Sequence, residues 1–84
     1  MLVVIHLETV RPESILRILE LTDSFGIHRE AVLIPLTTAE KGDITMQPDG
    51  RIRIVCPDSV DLDEWLVELR DRLEKIDLTR VARH

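Results

Sequence analysis

Two amphipathic stripes limit what this chain can fold into. Ile15, Ile18, Leu19, Thr22 and Phe25 recur at three- and four-residue spacing, and so do Leu62, Trp65, Leu66, Leu69, Leu73 and Ile76. Each set lines one side of a helix. Helices this short are marginal in water by themselves, so both stripes must be covered by something else. The available cover is β-structure: Leu2 to Leu7, Ala31 to Leu36 and Arg51 to Cys56 are short runs rich in β-branched residues. One sheet face that buries both helical stripes is the economical arrangement.

The boundaries carry their own chemistry. Pro12 suits the first helical position, where no backbone N–H is needed, and Glu13 suits the positive end of the helix dipole. Gly26 stands where a left-handed C-terminal cap belongs. Pro35 lacks a ladder donor, so the strand from Ala31 is an edge or ends there. Asp43 to Gln47 extends a hairpin arm, and Pro48-Asp49-Gly50 is a turn, proline presetting φ and glycine accepting a positive one. Arg51 to Cys56 alternates, with Ile52, Ile54 and Cys56 on one face and Arg51, Arg53 and Val55 on the other. Asp61 and Glu64 have the spacing of a capping box before the second helix. Asp63, Glu64, Glu68, Arg70, Asp71, Arg72, Glu74 and Lys75 form that helix's solvated face, and Leu78 to Ala82 closes the domain as a last short strand.

The resulting order is strand, helix, strand, strand, helix, strand. The expectation is an α+β fold, a ferredoxin-like βαββαβ two-layer sandwich whose four-stranded antiparallel sheet carries both helices on one face. With 84 residues, residues 1–84 make one domain with one core. Leu2 to Leu7 is apolar on both faces, and Leu16 and Leu21 lie off the first helical stripe. Both features leave apolar surface for a second subunit, and a homodimer is expected.

Charge narrows the function classes. Eleven Lys and Arg against sixteen Asp and Glu leave a net charge of −5, a poor match for nonspecific nucleic-acid or anionic-membrane binding, which needs clustered cations. RNA-binding domains of this strand order stack bases on strand aromatics, whereas Phe25 and Trp65 fall on helical stripes. Met1-Leu2-Val3-Val4-Ile5 lacks a basic lead and does not read as a signal peptide. No run approaches the ~20 apolar residues of a membrane span. The single cysteine, Cys56, cannot pair internally, which fits a reducing, cytoplasmic setting. His6, His28 and His84 have no metal-ligand spacing, and no nucleophile motif or phosphate loop is present. The chain reads as noncatalytic, with no cofactor and no metal.

One pattern adds to this. A strand through Leu7, then Arg11-Pro12-Glu13-Ser14 opening a helix, then Phe25-Gly26-Ile27-His28 before the next strand, resembles the ACT domain family. Pro57 to Leu62, with Leu69, Leu73, Ile76-Asp77-Leu78 and Val81, extends the likeness to the small regulatory subunits of acetolactate synthase within that family. The resemblance implies a regulatory or activating subunit that joins the catalytic subunit of an amino-acid biosynthetic enzyme, with a small amino acid, a branched-chain one among the candidates, as effector. By that likeness, the ligand-binding residues are Val10, Arg11, Pro12, Glu13, Ser14, Gly26, Ile27 and His28. The family's turn carries glycine where Glu13 stands, and its second segment often has Asn at the place of His28; a carboxylate at residue 13 repels the carboxylate of a bound amino acid. Pro12 and Gly26 read equally well as a helix opener and a helix cap, without any ligand. Two other readings stand beside this one, a free-standing amino-acid sensor and a structural oligomerisation module.

Overall fold

The computed structural model describes residues 10–58, 61–79 and 81. Helix α1 (Pro12–Ser24) and helix α2 (Leu62–Lys75) start at the two positions that the stripes and prolines mark out. A three-stranded sheet consists of β1 (Val32–Leu33), β2 (Asp43–Met46) and β3 (Ile52–Val55), in the order β1-β3-β2. The described residues thus form a small α+β structure with two helices and a mixed sheet.

The alternation along β3 decides where the core sits. Ile52, Ile54 and Cys56 face one way and join Ile18 of α1 and Trp65, Leu69 and Leu73 of α2 in a single buried cluster. Both helices therefore lie on the same face of the sheet. Val10, Ile27, Ala31 and Val81 complete the cluster from connecting segments.

The hairpin β2–β3 forms where the turn chemistry places it. Asp43 pairs with Val55 and Met46 with Ile52 in antiparallel register. The Gly50 N–H donates to Gln47 O at 3.0 Å and the Gln47 N–H to Arg51 O at 2.7 Å. Asp49 accepts from the Arg51 backbone N–H at 3.1 Å and from its guanidinium at 2.7 Å. Those bonds to the ionised form hold the Asp49 carboxyl below the usual carboxylate range.

The direction of β1 differs from the expectation of an antiparallel sheet. Val32 pairs with Ile52 and Leu33 with Arg53 in parallel. The reason is the extra strand β2: between β1 and β3 the chain reverses once before residue 43 and again at the Pro48 to Gly50 turn, so β1 and β3 run the same way. The segment from residue 37 to 42 carries the chain across. It is tied down where the Ala39 N–H donates to Cys56 O at 3.0 Å, the Asp58 N–H to Ala39 O at 3.2 Å, and the Gly42 N–H to Ala39 O at 2.9 Å. Gly42 has φ +69° and lies flat against the indole of Trp65.

Three further expectations change. The strand from Ala31 to Leu36 shortens to two residues, because Arg29–Ala31 coils into a single 3-10 turn and Pro35 ends the ladder. Asp61 caps α2 through its backbone, with no side-chain hydrogen bond, so the capping box with Glu64 does not form. Leu78, Thr79 and Val81 lie outside any strand. There the Thr79 N–H is held by the Asp77 carboxylate at 3.0 Å and the Val81 N–H by Leu78 O at 3.1 Å, a local turn in place of a ladder. Leu2 to Leu7, expected as the first strand, lies outside the described residues, as do Arg80 and Ala82.

Candidate functional site

The eight residues singled out by the resemblance occupy the two ends of α1. A helix of 13 residues is about 20 Å long at ~1.5 Å per residue, so the two groups do not converge on one pocket within a chain.

At the first end, Val10, Arg11 and Ser14 line a small cleft of about 180 Å³ with Thr38, Cys56, Pro57, Asp58 and Leu62. Val10 is fixed by its N–H donating to Leu36 O at 2.9 Å. Arg11 is the N-cap of α1, and its carbonyl accepts from Ser14 and Ile15 at 3.0 and 3.2 Å. The hydroxyl of Thr38 donates to Asp58 at 3.1 Å. Pro12 and Glu13 are exposed and do not line the cleft. Cys56 is 3% exposed and burial pushes its thiol up, which keeps it protonated and a poor nucleophile. The cleft offers a cation at Arg11, an anion at Asp58 and a neutral thiol wall. That set can hold a small zwitterion; it does not activate a nucleophile.

At the other end, Phe25, Gly26 and Ile27 terminate the helix. The Gly26 N–H donates to Asp23 O at 2.9 Å and the Ile27 N–H to Thr22 O at 3.1 Å, with Gly26 at φ +74°. This is the Schellman arrangement, in which the left-handed residue lets the chain turn back on its last carbonyls. Ile27 is fully buried in the core. Gly26 and Ile27 are thereby explained as cap and core. His28 is exposed and borders a shallow hollow with Asp23, Arg29 and Glu30, where Arg29 forms an ion pair with Asp23 at 2.9 Å.

The larger concavity is one that sequence reasoning did not single out. Between the outer sides of α1 and α2 runs an open groove of about 550 Å³. Arg17, Glu20, Leu21 and Ser24 form one wall and Asp63, Leu66, Val67 and Arg70 the other. Arg17 pairs with Asp63 at one end, and Ser24 and Arg70 lie seven residues further along their helices, so the helices run in the same direction. Both helix N-termini consequently lie at the end of the domain that holds the small cleft. Val67 is 70% exposed. The clue in the sequence was Val67 itself, an apolar residue within the charged face of the second helix; Leu21 was visible as a residue off its stripe.

No group of three or more His, Cys, Asp or Glu among the described residues forms a metal-ligand set, and no described helix is long and apolar enough to cross a membrane. No family model, no curated protein and no solved structure matches the chain.

Proposed function

We propose that this chain is a noncatalytic, ACT-like regulatory domain that acts by binding another protein, the catalytic subunit of an amino-acid biosynthetic enzyme in the cytoplasm. The observation that carries the reading is the groove between α1 and α2. It is open and sets Leu21, Leu66 and the exposed Val67 among charges of both signs, a mix that suits contact with another protein. The ferredoxin-like βαββαβ reading with a four-stranded sheet belongs with this proposal, and what supports it is the described part, two helices on one face of a small mixed sheet.

The mechanism is differential binding. A regulatory subunit that contacts one conformation of its enzyme better than another shifts the population toward it, with coupling of about 1–3 kcal/mol, or roughly 5- to 150-fold. No proton transfer or covalent step on this chain is required. By the resemblance, the enzyme is of the acetolactate synthase type.

A second reading, an amino-acid effector site, is favoured by the cleft at the start of α1. Arg11 and the helix N-terminus suit the carboxylate of a zwitterion, and Asp58 its ammonium group. Glu13, exposed two residues after Arg11, works against a bound carboxylate.

The test is titration of purified acetolactate synthase catalytic subunit with the chain, following turnover and co-sedimentation. Stimulation with a defined stoichiometry is expected. A catalytic subunit that neither binds the chain at micromolar concentration nor changes its rate rejects the assignment. A thermal-shift panel of amino acids separates the effector reading, because stabilisation by one amino acid, abolished by Asp58→Ala, is expected only of a sensor.

A further inference from the structure

We propose that the outer edge of β2 takes up an extended segment of a partner protein as an added strand, one that alternates apolar residues with lysine or arginine. The edge belongs to the sheet, apart from the groove between the helices, and the proposal goes beyond the regulatory reading without resting on it.

The register of the hairpin fixes which backbone groups are involved. The Gln47 N–H donates to Arg51 O, so residues 47 and 51 form a hydrogen-bonded pair. In an antiparallel ladder such pairs alternate with pairs whose N–H and C=O groups point away from each other. Asp43 and Thr45 therefore bond to Val55 and Arg53, while Ile44 and Met46 turn their backbone groups away from β3. β2 ends the sheet in the order β1-β3-β2. Among the described residues, no backbone group bonds Ile44 or Met46 from the outer side.

The two sides of the sheet are treated differently. β1 is two residues long, Pro35 interrupts its donors, and Leu36 O is taken by the Val10 N–H at 2.9 Å. Such devices blunt an edge. β2 runs for four residues in unbroken register with no proline, lysine or bulge. The outward N–H and C=O groups of Ile44 and Met46 are thus a template for strand addition.

Side chains set the chemistry of the occupant. Residues of an added strand that lie opposite Ile44 and Met46 share their face, where both are half-buried against the core and present an apolar step. Valine or isoleucine suits those positions. The intervening residues fall beside Asp43 and Thr45, exposed on the other face, where the Thr45 hydroxyl donates to the Asp43 carboxylate at 2.9 Å. Asp43 is the one charged residue of β2, and Arg53 lies one strand further in, opposite Thr45. Opposite charges on neighbouring strands attract, so a cation belongs beside Asp43. The net charge of −5 draws such a segment in and disfavours a second copy of this chain at the same edge.

The probe is a short peptide alternating valine and lysine, blocked at both ends and added to the intact chain, with amide exchange followed residue by residue. At millimolar peptide the Ile44 and Met46 amides are expected to exchange about tenfold more slowly, the effect of one hydrogen bond each, while the Thr45 amide, already bonded to β3, changes less. A peptide N-methylated at its valines lacks the donors that meet the outward carbonyls and is expected not to bind, a test that leaves the protein unaltered. A peptide with the same residues in two blocks, valines then lysines, is expected to protect neither amide. Asp43→Lys should weaken binding by about fivefold or more. Absence of protection by the alternating peptide overturns the proposal, as does equal protection by the N-methylated or the two-block peptide. Binding indifferent to Asp43→Lys overturns the cationic partner. Protection in the chain alone that rises with its own concentration gives the edge to a second copy and overturns the proposal too.

Discussion

Replacing Gly42 with alanine tests how the segment between β1 and β2 is held against the core. Two separate effects oppose the substitution. Gly42 has φ +69°, a left-handed conformation that costs a residue with a Cβ about 1–2 kcal/mol. The added Cβ would also lie 2.6 Å from Nε1, 2.8 Å from Cε2 and 3.0 Å from Cζ2 of Trp65. Trp65 is 2% exposed and packed in the cluster of β3 and α2, so the ring cannot swing clear. Forced overpacking of this kind costs typically about 1–3 kcal/mol. The sum is about 2–5 kcal/mol. A domain of 84 residues has roughly 4–13 kcal/mol in total at ~0.05–0.15 kcal/mol per residue. Gly42→Ala therefore removes a large part of the stability, and Tm falls by roughly 10 °C or more. Trp65 is the sole tryptophan, so its emission during urea unfolding reports the loss directly. In a Trp65→Leu background, followed by circular dichroism, the steric part disappears and the backbone part remains. The coupling between the two substitutions should be about 1–3 kcal/mol. An equal cost in both backgrounds, or a cost below about 1 kcal/mol in the native one, would refute the close approach.

The other predictions concern the core, the buried thiol and the hairpin turn. Leu69→Ala, at a buried position on α2, should lose about 2–5 kcal/mol in urea titration, while Val67→Ala, on the exposed side of the same helix, should stay within about 0.5 kcal/mol. Cys56 should react with a disulfide reagent at neutral pH only as fast as the domain opens, because burial both covers the thiol and disfavours its thiolate; rapid labelling of the native domain would contradict this. The Asp49 carboxyl is held below its ordinary value, so its contribution to the hairpin is fully present above the unfolded carboxylate value and is lost as pH falls through the lower folded one. Asp49→Asn should consequently flatten the acid limb of a melting profile recorded between about pH 5 and pH 2, and superimposable profiles would rule out the turn as the source of acid sensitivity.

Much of the architecture could be read from spacing because single residues settle it. Ile18 and Thr22 on α1, and Trp65, Leu69 and Leu73 on α2, are buried as their periodicity requires. Pro48 and Gly50 place the hairpin turn. Strand direction was not legible in the same way. The alternation along β3 says which side chains face the core, and it is identical whether a neighbour runs parallel or antiparallel. Direction follows from how many times the chain reverses on the way, and the brief arm at residues 43–46 adds one reversal between β1 and β3. The described part of the expected last strand, Leu78, Thr79 and Val81, departs from it through an equally local effect, the Asp77 carboxylate bonding the Thr79 N–H. The candidate residues show a further limit. Pro12 and Gly26 mark the two ends of one helix, and a motif that joins them across the sequence says nothing of the helix length between them. The groove was half legible, through Leu21, while Leu66 reads as core by spacing and in fact sits half-buried at the groove wall.

The parallel pairing of β1 with β3 also orders the events of folding. Its ladder joins Val32 to Ile52 across a loop that contains β2 and the turn, whereas the nearest rung of the hairpin, Met46 to Ile52, spans a far shorter stretch of chain. Hairpins of this size close in about 1–10 μs, and once this one has formed, β1 has a shorter effective loop to close and a ready edge to meet. The hairpin therefore precedes the parallel pair on the way in and outlasts it on the way out. On that ordering, transient opening is expected to peel β1 from the sheet first and bare the edge of β3 while β2 still holds its other side.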